Sequence, residues 1–392
     1  MLKMTKRKSN LDLLRIVTMF GIIIFHHFGT RTLNHFVELT NGFTEKSYFY
    51  DFINNSRGYV SKLSLVMDFC YGHFGNGGNL IFMLITGYFL FGREISFSKR
   101  VRTAARILYA LFFYGILLML IHWFILARFY PISDYSSYNT IFKLPNWLSG
   151  ENLWYLQAYG CFILVILPIL KLFEKKLTRR THLYLFLTLV CMQFLAYNTY
   201  LPNLWISTRI CQFITFYYGG GYIAKYHVRV SPKKIAVIAL VYLLIYFAYE
   251  YYWRLSCALM YKPAEYSFID VAQPFVCCLI YALLWFLLFD NIDLQVPAPL
   301  AKALSAVSSK TMGIYIFHYN IISIAYIAAN HLGWHNWSGK GFFLFILLDS
   351  IVIFAAGFLI DCVREWSYRL IENKIGAPLR ERLKEENENH LR

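Results

Sequence analysis

Charge is what this chain has least of. Only 15% of its 392 residues are Asp, Glu, Lys or Arg, against about a quarter in soluble domains. With 58% hydrophobic residues and a mean hydropathy of +0.45, the chain reads as an all-α polytopic membrane protein. Proline is also sparse, at 10 residues. No Pro-, Gly- or Ser-rich linker separates a second domain, and no internal repeat is evident. The eight cysteines (70, 161, 191, 211, 257, 277, 278, 362) form no C-x-x-C pair and fall mostly in apolar segments. That argues against a disulfide framework or a structural metal, and assigns them to apolar packing.

What is abundant is the long apolar run. Ten such segments fall at about 13–30, 77–91, 104–127, 154–170, 182–200, 210–224, 235–253, 271–289, 311–330 and 342–361, each near the length of a bilayer-crossing helix. Ten crossings put both termini on one side. The termini and loops on that side carry 27 Lys and Arg, whereas the loops on the other carry 10, in sets of similar length. By the positive-inside rule both termini are cytoplasmic. The net charge of +16 then reflects basic clusters at 3–8, 99–102 and 175–180, which suit anionic lipid better than nucleic acid. The expected organisation is a transmembrane domain over 1–371 and a cytoplasmic tail over 372–392, rich in Glu, Lys, Arg and Asn. The first segment lacks a small-residue cleavage site, so it is read as a retained helix and not a signal peptide.

Polar groups inside apolar segments are costly, so they mark function. Arg15 and His26 share the first segment, eleven helical steps apart. That is about three turns, which places both side chains within roughly 20° of one face and roughly 16 Å apart along the axis. Ser9 can cap this helix, and Asp12 is placed to pair with Arg15. His27 points roughly 100° away from His26. His318 sits some eight residues into the ninth segment, where site and packing roles are both open. Arg102 and Arg106 are four apart and share a helical face.

The outer connection 31–76 is long for a turn and holds Tyr48, Phe49, Tyr50, Phe52 and Tyr59, which suit membrane-surface packing or stacking on a sugar. Its end, Gly72 to Asn79, reads as a tight turn into the second segment. Glu151 and Trp154 mark the outer end of the fourth, where Trp154 reads as a belt tryptophan and acceptor contact is the other reading.

Several separated motifs resemble one family, the integral membrane acyltransferase-3 family, which O-acylates bacterial polysaccharides and other surface glycans. Arg15, ten residues and His26 match its first-helix signature. Ile81 to Leu90 is similar to its apolar run ending Ser-Gly-Phe/Tyr-Leu, with Thr86 in the serine place. Phe97 to Ile107 resembles its basic approach to the third helix, without the expected proline after Arg106. Leu153-Trp-Tyr-Leu156 and Ser308 to His318 resemble its later elements.

The resemblance implies an inner-membrane O-acyltransferase of stand-alone form. It implies acyl-CoA, most simply acetyl-CoA, as donor, with no metal, and a saccharide or lipid-linked glycan as acceptor. Membrane lipid is the expected surround and nucleic acid is not a partner. Within that reading His26 is general base or transient acyl carrier, since imidazole titrates near neutrality. Arg15 suits the donor phosphates, for which its fork is well shaped. Arg102 and Arg106 bind the same phosphates or serve the positive-inside bias, and His318 is a further catalytic candidate.

A transporter or flippase of polysaccharide intermediates would share the helices and the basic face, but paired Gly/Pro-broken helices in corresponding halves are not evident. A non-catalytic partner in glycan assembly would tolerate loss of His26. Reporter fusions near residues 98, 178 and 230 should read cytoplasmic, and those near 55, 140 and 262 should read outside. A consistent reversal would invalidate the map.

Overall fold

The computed structural model describes residues 9–28, 62–121, 124, 154–198, 205–259, 268–331 and 339–376. Every element among them is helical. They are α1 (Ser9–Phe28), α2 (Lys62–Leu90), α3 (Phe97–Ile121), α4 (Trp154–Cys161), α5 (Leu167–Glu174), α6 (Arg179–Asn198) and α7 (Trp205–Tyr226). After them come α8 (Pro232–Leu259), α9 (Phe268–Asn291), α10 (Ala298–Ser308), α11 (Thr311–His331) and α12 (Gly339–Ile371), extended by a π-helical turn at Glu372–Gly376.

Where they are described, the ten expected apolar segments fall on helix. By length and hydropathy, five helical stretches among the described residues are long and apolar enough to cross a membrane: Ser9–His27, Phe97–Ile121, Tyr155–Glu174, Pro232–Tyr249 and Leu344–Lys374. The other expected crossings are shorter or less apolar where they are described. Large apolar side chains point outward on α3, α8 and α12, among them Phe112, Ile116, Leu244, Leu348 and Leu359. Such faces suit hydrocarbon, not water.

The six connections rich in Lys and Arg meet at one end of the bundle. Gly92 N–H donates to Glu174 at 2.8 Å, Lys225 to the Leu177 carbonyl at 2.9 Å, and Val230 N–H to Asn291 at 3.1 Å. Asn10 reaches the Ile292 carbonyl, Ser308 reaches Asp12, and Arg102 reaches Glu372. This grouping agrees with the alternating phase read from the charges.

Three local features depart from the sequence reading. The stretch Gly72 to Asn79 is not a turn but lies inside α2, which begins at Lys62. Glycine in a helix costs about 1 kcal/mol relative to alanine, yet here it lets neighbours pack closely. A Cβ at Gly75 would come within 2.6 Å of the Phe25 ring, and one at Gly78 within 2.8 Å of Ile22. The 290–310 connection contains α10. Between α4 and α5 the chain makes a π turn at Phe162–Ile166, with Leu167 N–H donating to the Phe162 carbonyl. Pro168 follows at once, and its missing N–H and ring bulk account for the widened turn. The aromatics at 48–59, Glu151, the Trp154 side chain and the tail beyond 376 lie outside the described residues.

The interior has two apolar clusters, and α1 serves both. Met19, Ile22 and Ile23 pack with α3, α11 and α12, while Leu11 and Leu14 pack with α2, α4, α7 and α9. The second cluster depends on a backbone approach between α2 and α7. A Cβ at Gly87 would lie 2.3 Å from the Tyr217 carbonyl oxygen, and one at Gly220 would lie 2.0 Å from that of Leu84. Backbone cannot yield as a flexible side chain can. Gly87→Ala should therefore lower stability by about 1–3 kcal/mol, the usual cost of overpacking. Gly160→Ala, with open space around its Cβ, should not. Thermal unfolding in detergent compares the two.

Candidate active site

At the end of the bundle that gathers the basic loops, α1 places Arg15 at the seam between the two apolar clusters. Its side chain is 24% exposed, and Nη1 donates to Asp12 Oδ1 at 3.3 Å, one helical turn back. The same oxygen accepts from Ser308 Oγ at 2.8 Å. Asp12 thus holds the guanidinium and also fastens α1 to the end of α10. The Phe89 ring lies 5.4 Å from the guanidinium carbon, within cation–π range.

Arg15 opens on a cavity of about 260 Å³, whose polar lining includes Thr86, Ser308, Ser309 and Thr311. Phe82 and Ile85 of α2, Leu156 of α4 and Met312 of α11 supply its apolar walls. Thr86 returns its hydroxyl to the Phe82 carbonyl at 2.9 Å, so its donor is satisfied without tertiary help. Tyr155, Tyr159 and Tyr315 complete the lining. Tyr155 and Tyr315 have ring centroids 5.4 Å apart.

Beyond this aromatic wall lie the histidines. The His318 ring is 5.4 Å from that of Tyr315, and the His26 ring is 4.8 Å from that of His318. His318 Nδ1 is 2.6 Å from the Tyr315 carbonyl oxygen. A carbonyl only accepts, so Nδ1 carries the hydrogen and Nε2 keeps its lone pair. That Nε2 is buried and has no hydrogen-bond partner among the described residues. Tyr319 packs edge-on against His26 at 5.2 Å. One helix therefore aims a cation at the cavity and, three turns on, an imidazole at a second imidazole from α11.

His27 is fully buried and turned to α12, where its Nε2 lies 3.4 Å from Asp349 Oδ2 and its ring packs edge-on to Phe345. Arg102 and Arg106 do not line the Arg15 cavity. Arg102 pairs with Glu372 at 3.3 Å, and Arg106 with Glu365 at 3.5 Å while lying over the Tyr368 ring. Both tie α3 to the end of α12.

The sequence reading passed over Asp349, although an acid within an apolar run was signal enough. It also passed over Asp361, whose carboxylate receives Tyr114 Oη at 3.0 Å and Arg364 Nε at 2.5 Å. Lys310 stands 3.9 Å away and also bonds Glu365. This network joins α3, the turn that leads into α11, and α12. Among the described residues no group of three or more His, Cys, Asp or Glu is placed to hold a metal.

Arg15, Thr86, Tyr155, Leu156, Ser308 and Tyr315 come from four separate motifs and line one cavity. A family model described as an acyltransferase domain, Acyl_transf_3, matches residues 8–362, nearly the whole chain. The chain belongs to the acyltransferase-3 family. No curated protein and no solved structure matches it. As a family member with these apolar helices it is a multi-pass membrane acyltransferase.

Within this acyltransferase the His27 and Asp349 pair should be structural. Asp349→Ala should lower stability by about 1–3 kcal/mol, because it leaves a buried imidazole without its carboxylate. Asp349→Asn should recover much of the loss. Thermal unfolding of both variants checks the assignment.

Proposed function

We propose that this acyltransferase moves an acyl group, most simply acetyl, from cytoplasmic acyl-CoA to a hydroxyl of a cell-envelope saccharide or lipid-linked glycan precursor. The setting in this reading is the bacterial inner membrane. One observation carries it: Arg15 stands at a cavity at the basic end of the bundle, and His26, on the same face of α1, lies against His318. The interval between Arg15 and His26 is roughly 16 Å, a gap of the order spanned by an extended pantetheine arm.

In this reading Arg15 holds a donor phosphate while the thioester reaches the histidines. His26 takes the proton of the acceptor hydroxyl, the hydroxyl oxygen bonds to the thioester carbonyl carbon, and the carbon–sulfur bond breaks. Coenzyme A leaves as thiolate and is protonated by the imidazolium. Imidazole suits both transfers, because it gains and loses a proton near neutral pH. His318, fixed as the Nδ1–H tautomer by the Tyr315 carbonyl, offers its Nε2 lone pair to the same proton. Arg102 and Arg106, engaged with Glu372 and Glu365, act in this scheme through the basic face and not through the cavity.

His26→Ala should abolish transfer in a protein that still folds and still binds donor, His27→Ala should leave substantial activity, and His318→Ala should fall between them. Glycan acylation in cells, read beside expression level, decides the order. Full activity in folded His26→Ala would sink the mechanism and favour a transport role.

Donor binding should depend on Arg15. Arg15→Ala should weaken acyl-CoA binding by about 1.5–3 kcal/mol, the range for a hydrogen bond to a charged group. Arg15→Lys should recover only part, because the bidentate fork is lost. Calorimetry on the purified chain would remove Arg15 from the donor site if wild type and Arg15→Ala bound equally.

A further inference from the structure

A second and larger cavity, of about 1160 Å³, opens at the same end of the bundle, between the end of α2, the start of α3, α5 and the end of α7. Its lining is sharply divided in character. Tyr88, Phe91, Ile95, Leu167, Pro168 and Leu172 make an apolar half. Arg93, Arg100, Lys171, Lys175 and Lys225 face it against only two carboxylates, Glu94 and Glu174.

The carboxylates do not neutralise this excess. Glu174 is buried and already accepts from Gly92 N–H, Lys171 and Tyr217. Glu94 pairs with Lys175 at 3.4 Å in full exposure, where an ion pair is worth little. Arg100 lies over the Phe97 ring, and its Nε is buried with no hydrogen-bond partner among the described residues. The cavity therefore sets five cations and two carboxylates beside an apolar wall, with Arg100 and Lys175 the cations least engaged by carboxylate.

The surrounding surface indicates what can enter. Leu172, which lines the cavity, is 72% exposed, and Phe97, beneath Arg100, is 69% exposed. Phe173 and Ile169 of α5 are exposed as well. Outward apolar side chains of this kind suit hydrocarbon, and their place beside the basic loops suits the depth of lipid headgroups. An amphipathic anion fits both halves, whereas a soluble phosphate ester would leave the apolar half uncovered. Basic pockets between helices at the cytoplasmic end are a known setting for anionic headgroups.

We propose that this cavity binds an anionic glycerophospholipid, with its phosphate between Arg100 and Lys175 and its acyl chains along Leu172 and α5. Lipid retention is read without any transfer activity, so it stands apart from the roles of Arg15 and His26. The bound lipid would brace the loop after α2 against α5, alongside the Glu174 contacts that already join them.

The test titrates the full chain, purified in neutral detergent, with phosphatidylglycerol and phosphatidylcholine of matched acyl chains, and counts bound lipid by native mass spectrometry. Phosphatidylglycerol should be retained in preference. Arg100→Gln and Lys175→Gln should each lower its affinity about fivefold, the value of one cation near an anionic surface. Phosphatidylcholine retention should not change. Lys175 is surface-exposed, so its replacement keeps the test decisive even if Arg100→Gln fails to fold. Equal retention of the two lipids, or wild-type affinity in the variants, would overturn the proposal. Displacement of phosphatidylglycerol by coenzyme A or inorganic phosphate, each added in a separate arm, would reassign the cavity to a soluble phosphate ester and overturn it too.

Discussion

The Asp12 carboxylate is the fixed point on which the site depends. It accepts from Arg15 on its own helix and from Ser308 at the end of α10. In a medium with almost no water, a guanidinium near a helix end must find a counter-charge or reach the interface. Asp12 provides the counter-charge and directs Arg15 to the seam between two apolar clusters. Because Ser308 leads directly into α11, the same carboxylate sets where Tyr315 and His318 stand relative to α1. The cation and the imidazole pair are thus coupled through one short polar link and two rigid helices.

Rigidity of the surroundings comes from close backbone approach, not from polar contacts. Gly87 and Gly220 bring α2 and α7 together at a distance that no larger residue allows. Helices in lipid gain little from apolar burial alone, so tight van der Waals contact across small residues supplies much of their association. Gly75 and Gly78 of α2 instead make room for the Phe25 and Ile22 side chains of α1. The glycines therefore hold α1, which carries Arg15 and His26, against α2, which carries Thr86.

Elsewhere charged groups act as struts between helices. Asp361 gathers Tyr114 and Arg364, and Glu365 gathers Lys310, Arg106 and Arg369. Removing Asp361 would leave Arg364 buried without its carboxylate, which costs more than the pair itself returns. The network seats α12 against α3 and α11, and α12 in turn presents Asp349 to His27. This leaves His26 as the member of the His-His pair that faces His318.

The sequence by itself determined the membrane class, the apolar segments, the gathering of basic loops at one end, and the shared face of Arg15 and His26. All of these follow from local period and composition: a helix repeats every 3.6 residues, and charge distribution needs no fold to be counted. Only the tertiary structure decided which distant groups meet. His318 comes to His26, Asp349 to His27 and Ser308 to Asp12, whereas Arg102 and Arg106 turn to α12 and away from the Arg15 cavity. The glycine-rich stretch of α2 was misread as a turn for the same reason. Taken alone, glycine signals a flexible backbone, and only a neighbouring helix shows that the missing Cβ is room for packing. Periodicity gives each helix its faces, but which face meets which neighbour is settled by packing across the whole bundle.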